Sequence, residues 1–330
     1  MSSSATTSDG LGHVRGIKIG DFAIGPGQRR SLDLPVAQLP TGSWLSVPME
    51  VICGVRSGPR VWLTATIHGD ELNGLEIIHR VLKQLDVKNF GGVLVVAPVM
   101  NILGFMNQTR TLPDGSDLNR SFPGSRNGSL AERLGRFFTD EVVSKCSYGI
   151  DLHSGANNRL NPPQIRADLA DAVTRRLAAA FAAPITMDAA QTEGSLRTAA
   201  VSSGNRVLLF EGGEPLRYNE DSLRSGTEGV LRVLHALQMH DGEPRPPDSP
   251  SIELSADDEW VKAPRCGILR LNVTVMDEVH KGEKLGVVAD VLGAKAQDVV
   301  APFDGFVIGI SLNPLVAKDG GVLHLAKRVK

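Results

Sequence analysis

Three stretches of this sequence place groups able to hold a metal or move a proton at the ends of apolar runs. His68-Gly69-Asp70-Glu71 closes the run Val61-Trp62-Leu63-Thr64-Ala65-Thr66-Ile67, which is β-branched and aromatic enough for a buried strand. Tyr148-Gly149-Ile150-Asp151-Leu152 delivers a second histidine, His153, in the same way. If these two strands are neighbours, His68, Glu71 and His153 converge. Two imidazoles and one carboxylate, with a fourth position open to water, are the ligand set of a catalytic zinc rather than a closed structural one. One Zn2+ per chain is therefore expected, and it would bring the pKa of a bound water from about 15.7 towards 7. A His-x-x-Glu standing alone has a plainer reading as a solvated helix start; the second histidine strand is what favours the metal.

Attack by such a water on a carbonyl needs a base that shuttles its proton to the leaving group. Glu211 is the candidate, because it follows the apolar run Val207-Leu208-Leu209-Phe210 and precedes two glycines, so it leaves a core for an open turn. Burial there would raise its pKa towards the working range, whereas Glu214 reads as solvated. Asp151 lies two residues before His153, on the same side of its strand. It is placed either to accept the imidazole's other N–H or to form a buried ion pair. Gln108-Thr109-Arg110 and Asp117-Leu118-Asn119-Arg120 add two guanidinium groups and an amide. Arginines clamp carboxylates through paired hydrogen bonds; surface solvation is the alternative for each, made less attractive by their company in one loop between the two histidine strands.

The elements that must position these groups follow an alternating rhythm. Strands are expected at 61–67, 92–98, 148–152 and 206–211, and helices at 71–86, 130–145, 167–182 and 220–239. That pattern implies a largely parallel sheet covered by helices, with ligands outside the carboxyl ends of its strands. Leu72, Leu75, Ile78, Leu82 and Leu85 supply the helical spacing of the first helix, and Ser129-Leu130-Ala131-Glu132 reads as a capping box. Residues 13–60 read as a turn-rich β entry section. Residues 99–128 show neither helical nor strand period, and a structureless loop of that length is functional or disordered as a rule.

Asp241-Gly242-Glu243-Pro244-Arg245-Pro246-Pro247-Asp248-Ser249-Pro250 cannot continue a helix and fits a linker. Beyond it, apolar runs at 261–271, 283–290, 299–310 and 322–326 suggest a small β barrel or sandwich. The expected division is a disordered terminus at 1–12, a catalytic domain at 13–240, a linker at 241–251 and a β domain at 252–330.

The remaining bounds are broad. The chain has 330 residues, 42% of them hydrophobic and 22% charged, as in ordinary soluble proteins. A net charge of -2, with scattered basic residues, argues against nucleic acid or a membrane surface as partner. The start lacks the basic and apolar segments of a secretion signal, and no run of about 20 apolar residues occurs, so a cytoplasmic location is expected. Cys53, Cys146 and Cys266 are few, odd in number and far apart, which suggests buried thiols and no cysteine metal cluster.

Taken together, His68-Gly69-Asp70-Glu71, Arg110, Asp117-Leu118-Asn119-Arg120, Asp151-Leu152-His153 and Glu211-Gly212-Gly213 resemble the succinylglutamate desuccinylase and aspartoacylase family of zinc deacylases, within the zinc carboxypeptidase fold group. The resemblance spans about residues 45–330. It implies a mixed, largely parallel sheet flanked by helices, plus a carboxy-terminal all-β barrel-sandwich domain covering the active site. It further implies that His68, Glu71 and His153 hold zinc and that Glu211 acts as base and then acid. Arg110 would polarise the scissile carbonyl, and Asn119 and Arg120 would bind the substrate carboxylate. Arg197, in Gly194-Ser195-Leu196-Arg197, is similar to a further substrate-pocket arginine, or caps a helix. Relatives often associate, so a homo-oligomer is an open expectation.

Two departures stand out. Val299-Val300-Ala301-Pro302-Phe303-Asp304-Gly305-Phe306-Val307 resembles the hairpin edge of biotinyl and lipoyl domains, but Lys295 lacks the flanking methionines of an attachment site. Aspartoacylase proper uses a tyrosine from its second domain, whereas the tyrosines here, Tyr148 and Tyr218, both precede the linker. No His-Glu-x-x-His, phosphate-loop or Gly-x-Ser-x-Gly motif supports a rival chemistry. The expected function is removal of a small acyl group, acetyl or succinyl, from a small N-acyl amino acid or diamino acid. The alternatives are a carboxypeptidase-like peptidase and a non-catalytic binder of anionic metabolites.

Overall fold

The computed structural model describes residues 16–39 and 41–329. The disordered terminus expected at 1–12 lies outside the described residues. The entry section is β1 (Ile17–Ile19), β2 (Phe22–Ile24), β3 (Gln28–Gln38) and β4 (Trp44–Cys53). The alternating units follow as β5 (Arg56–Ala65), α1 (Asn73–Leu82), β6 (Gly91–Ala97), α2 (Ile102–Asn107), α3 (Leu130–Glu141) and β7 (Tyr148–His153). Then come β8 (Arg159–Ala167), α4 (Ala172–Phe181), β9 (Ile185–Asp188), α5 (Leu196–Ser202), β10 (Arg206–Gly213) and α6 (Glu220–Ala236).

The central strands run in the order β6-β5-β7-β10, all parallel. Successive side chains of a strand point to opposite faces, and the two cores divide accordingly. Val61, Leu63, Ile150 and Leu152 pack with Ile77, Ile78 and Val81 of α1, Leu177 and Phe181 of α4, and Val230 and Leu234 of α6. Trp62 and Val95 pack on the other face with Leu134 and Phe138 of α3 and Leu196 and Ala200 of α5. Each such large apolar side chain contributes about 1.5–3 kcal/mol by burial. Ser129 and Glu132 form the reciprocal cap expected at the start of α3.

The sheet is more mixed than the sequence rhythm implies, because antiparallel neighbours flank the parallel centre on both sides. The helix expected over 167–182 begins only at Ala172, and β8 precedes it as an antiparallel strand against β10. Pro162 and Pro163 obscure this strand, since proline cannot donate to a ladder. They are accommodated where the β8–β10 register shifts, between the partners of Glu211 and Gly213. The short elements β9 and α5 are likewise additions to the expected set. Within 99–128, α2 and a 3-10 turn at Leu118–Arg120 give the loop internal structure.

After residue 236 the described residues form strands and no helix: β11 (Ile252–Lys262), β12 (Gly267–Leu271), β13 (Glu278–Val279), β14 (Lys284–Ala289), β15 (Gln297–Val300), β16 (Gly305–Ser311), β17 (Leu315–Val316) and β18 (Gly321–Arg328). These strands join the main sheet. β11 pairs in parallel with β9, and β16 pairs with β8, so β8, β9, β11, β18 and β16 close a five-strand ring. A second sheet, β15-β14-β12-β17, covers a core that includes Leu269, Val288, Val307 and Leu323. Cys53 and Cys146 are buried, whereas Cys266 is exposed because it lies in the turn between β11 and β12. No helix among the described residues is long and apolar enough to cross a membrane.

The strand that carries His153 is held in place by a missing side chain. Gly149 pairs with Trp62 across β5 and β7, and a Cβ at Gly149 would meet the Trp62 indole at 2.0 Å. Trp62 has no room to yield: it is fully buried, edge-on to Phe138, and donates its indole N–H to Asn205. Gly149→Ala is therefore expected to destabilise the protein by about 1–3 kcal/mol or more through overpacking, read as a lower urea midpoint.

Candidate active site

β5 and β7 are adjacent and in register, with Ala65 opposite Leu152, so both deliver their histidines to the same edge. Between β5 and α1 the chain turns sharply. Thr66 adopts a left-handed φ of 52°, and the Glu71 N–H donates to the His68 carbonyl at 3.2 Å. Gly69 permits the turn to touch α2, because a Cβ there would meet the Gly104 carbonyl carbon at 1.9 Å.

The result is a compact cluster. His68, Glu71 and His153 are all buried, and one ligand atom from each lies within 4.8 Å of the others. The Glu71 carboxylate stands between the rings, with Oε1 2.7 Å from His68 Nδ1 and Oε2 2.9 Å from His153 Nδ1. The Ser154 N–H also donates to Oε2. On the far side of each ring stands another carboxylate. His68 Nε2 is 3.2 Å from Asp117 Oδ1, and His153 Nε2 is 3.0 Å from Asp151 Oδ2. Asp151 is itself oriented by the Thr64 hydroxyl at 2.7 Å.

Electrostatics follow from this packing. Burial would push the Glu71 pKa up, but the two imidazoles outweigh it and hold the carboxylate well below its usual range. Burial opposes charge on His153, and is outweighed by Asp151 and Glu71, so its pKa rises; His68 is raised likewise by Glu71 and Asp117. The donor set fits a metal. Two imidazoles have their Nδ1 atoms turned towards one carboxylate, and each is fixed from behind through Nε2, as ligating histidines require. The Asp151 contact fits both of its sequence readings, acceptance of the imidazole's other N–H and a buried ion pair. The Asp117 contact was not foreseen; its signal was an acid in the same loop as Arg110.

Glu211 sits opposite His153 in the β7–β10 register and accepts a hydrogen bond from Asn161 Nδ2 at 3.1 Å. Burial raises its pKa and the Glu71 charge adds to that, against the attraction of His153. Arg110 donates to Asp117 Oδ2 at 2.9 Å and has a nitrogen 3.6 Å from Glu71. Asn119 uses its carbonyl oxygen to accept from the Leu196 N–H at 2.9 Å, which ties the loop to α5. Arg120 is exposed and donates to the Asn119 carbonyl. Arg197, on the first turn of α5, donates to the carbonyls of Ala189 and Ala190. It therefore braces the preceding loop rather than capping its own helix, whose cap is Ser195.

His68, Glu71, Arg110, Asn119, Arg120, His153, Arg197 and Glu211 line one cavity of about 470 Å³, whereas Asp151 does not reach it. Sequence reasoning missed part of its wall. β8 adds Arg159, Asn161 and Arg166, and Asp258 and Trp260 of β11 and His324 of β18 line it as well.

The family model described as the succinylglutamate desuccinylase/aspartoacylase catalytic domain matches residues 57–237. An N-alpha-acetyl-L-2,4-diaminobutyric acid deacetylase from Halomonas elongata is 31% identical over 281 residues, covering 82% of each chain. A solved succinylglutamate desuccinylase/aspartoacylase from Rhodobacter sphaeroides superposes with a TM-score of 0.82 at 26% identity, covering 92% of this chain and 96% of that one. The product-bound ectoine utilization protein EutE (DoeB) from Ruegeria pomeroyi gives a TM-score of 0.82 at 24% identity, over 91% and 94% of the two chains, a likeness of fold.

Removing the carboxylate behind His153 tests the cluster as a metal cage. Asp151→Asn should weaken zinc affinity by about 10–100-fold while leaving one ion bound at saturation, measured by competition with a chromophoric chelator. Unchanged affinity would mean that this pair is structural.

Proposed function

This chain belongs to the succinylglutamate desuccinylase/aspartoacylase family, and within it we propose a zinc-dependent amidohydrolase that removes a small acyl group, acetyl or succinyl, from the amine of an amino acid or diamino acid. The observation that carries this reading is the convergence of His68, Glu71 and His153 beside a carboxylate, Glu211, whose pKa burial raises from its ordinary value.

In this reading His68, Glu71 and His153 hold one zinc ion, which supplies a Lewis acid able to acidify water and polarise a carbonyl. Asp117 and Asp151 keep the two imidazoles turned towards it. Glu211 takes the proton of the attacking water and returns it to the departing amine, with Asn161 fixing the carboxylate's orientation. Arg110, positioned by Asp117, places a guanidinium where the carbonyl oxygen gains charge. The Asn119 amide nitrogen and Arg120 bind the amino acid's carboxylate. Arg197 shapes the same wall through the 189–190 carbonyls and presents its remaining edge to the substrate.

Residues 13–240 act as the catalytic domain, 241–251 as the linker and 252–330 as a strand-built domain that narrows access. Asp258, Trp260 and His324 in the cavity wall support a small substrate over a peptide. The pairing of an intact base with an intact ligand set supports catalysis over mere metabolite capture.

Metal analysis and turnover on a panel of N-acetyl and N-succinyl amino acids test this. Wild type should carry one zinc per chain and His153→Ala should lose it; equal zinc in both would remove the assignment. Glu211→Gln should keep zinc but lose kcat by about 10²–10⁴-fold, and a near-normal rate would place the base elsewhere.

A further inference from the structure

Asn73 is the first residue of α1, yet its side chain is not spent on that helix. The residue before it, Leu72, begins the helix without a side-chain hydrogen bond. Asn73 is fully buried and commits its amide to the loop that joins β10 to α6. Its Nδ2 donates to the carbonyls of Glu214 at 3.1 Å and Arg217 at 3.0 Å, and its Oδ1 accepts from the Asn219 N–H at 2.9 Å. Both donors and the oxygen therefore go to a single loop. A buried amide is costly unless it is satisfied in this way, so Asn73 and the loop hold each other in place.

That loop begins where the support of Glu211 runs out. β10 pairs with β7 as far as Glu211 opposite His153, and its register against β8 shifts between Glu211 and Gly213. Just past Glu211, then, one ladder has ended and the other is out of step. Gly213 turns with a left-handed φ of 87° and lies so close to Asn73 that a Cβ would meet Nδ2 at 2.8 Å. Its carbonyl accepts from the Gly155 N–H, two residues beyond His153. Further along, the Leu216 N–H donates at 2.9 Å to the carbonyl of Asp70, the residue before Glu71. Asp70 and Asn73 thus grip, from either side of Glu71, the segment that follows Glu211.

We propose that Asn73 is a positioning residue for the base: by clamping the loop after β10 onto the turn that bears Glu71, it sets where the Glu211 carboxylate stands relative to the cluster of His68, Glu71 and His153. The inference rests on the deacylase reading, in which Glu211 moves the proton. A displacement of about 1 Å caused from outside the reacting groups can cost about 100-fold in rate.

The test is a double-mutant cycle on the zinc-loaded protein, with kcat and KM measured on the N-acyl amino acid that turns over fastest. Asn73→Ala should lower kcat by about 10- to 100-fold, with KM and zinc affinity within about threefold of wild type. In a Glu211→Gln background the same substitution should lower kcat by less than about twofold, because the group it positions is already gone. Asn73→Asp keeps the volume and the acceptor for Asn219 but turns an oxygen towards the Glu214 and Arg217 carbonyls. It should behave as Asn73→Ala does, and it replaces that variant in the cycle if Asn73→Ala does not fold. An unchanged kcat, a loss residing in KM, or the same fold-loss in both backgrounds would overturn the proposal, the last marking a residue that supports the fold alone. If no N-acyl amino acid is hydrolysed, the deacylase reading fails by itself. Amide hydrogen exchange then decides Asn73: exchange over 212–219 about tenfold faster in Asn73→Ala, with the central strands unchanged, upholds the clamp, and equal exchange refutes it.

Discussion

The cluster depends on a single buried carboxylate, Glu71, standing between two imidazoles. An ionised carboxylate with 2% of its surface exposed is costly to bury unless charge and hydrogen bonds surround it. His68, His153 and the Ser154 N–H provide that surrounding, and Asp117 and Asp151 in turn hold the rings. Removing any one of them leaves another ionisable group buried without its partner. The cluster is therefore a unit, and the same arrangement that makes Glu71 tolerable points three donor atoms at a common centre.

That unit constrains the sheet. Its members come from the turn after β5, the end of β7 and the loop before α3, so they meet only if β5 and β7 lie side by side in one register. Strand side chains alternate between faces, and a slip of one residue would send His153 to the opposite side. Trp62 against Gly149 opposes such a slip, since no neighbouring pair on these strands offers the indole the same space. Core packing several residues away thus sets the position of the imidazole.

The parallel centre and the residues of the buried cluster were legible in the sequence for a common physical reason. Buried parallel strands read as continuous apolar runs, and a histidine or glutamate ending such a run contrasts sharply with it. His68, His153 and Glu211 all announce themselves in this way. Residues outside that grammar were hidden. β8 carries Pro162 and Pro163 and mixes buried with partly buried positions without regular alternation, so Arg159, Asn161 and Arg166 lie on a strand that periodicity does not reveal. Asp117 was visible only as part of an arginine-bearing loop; that it braces His68 while also holding Arg110 depends on how residues 99–128 fold back on the turn after β5. The ring closure by β9–β11 and β16–β8 pairings joins segments far apart in the chain, and no local pattern encodes it.

This division has a consequence for specificity. His68, Glu71, His153, Glu211 and Arg110 sit at the strand ends and loops of the parallel centre, where each has a hydrogen-bonded partner. The opposite wall is built from β8, β11 and β18, whose residues Arg159, Asp258, Trp260 and His324 contact one another rather than Glu71 and its imidazoles. Substitutions on that wall change charge and shape without disturbing Glu71 or its imidazoles. A relative at 31% identity named for one amino acid is compatible with a different preference here.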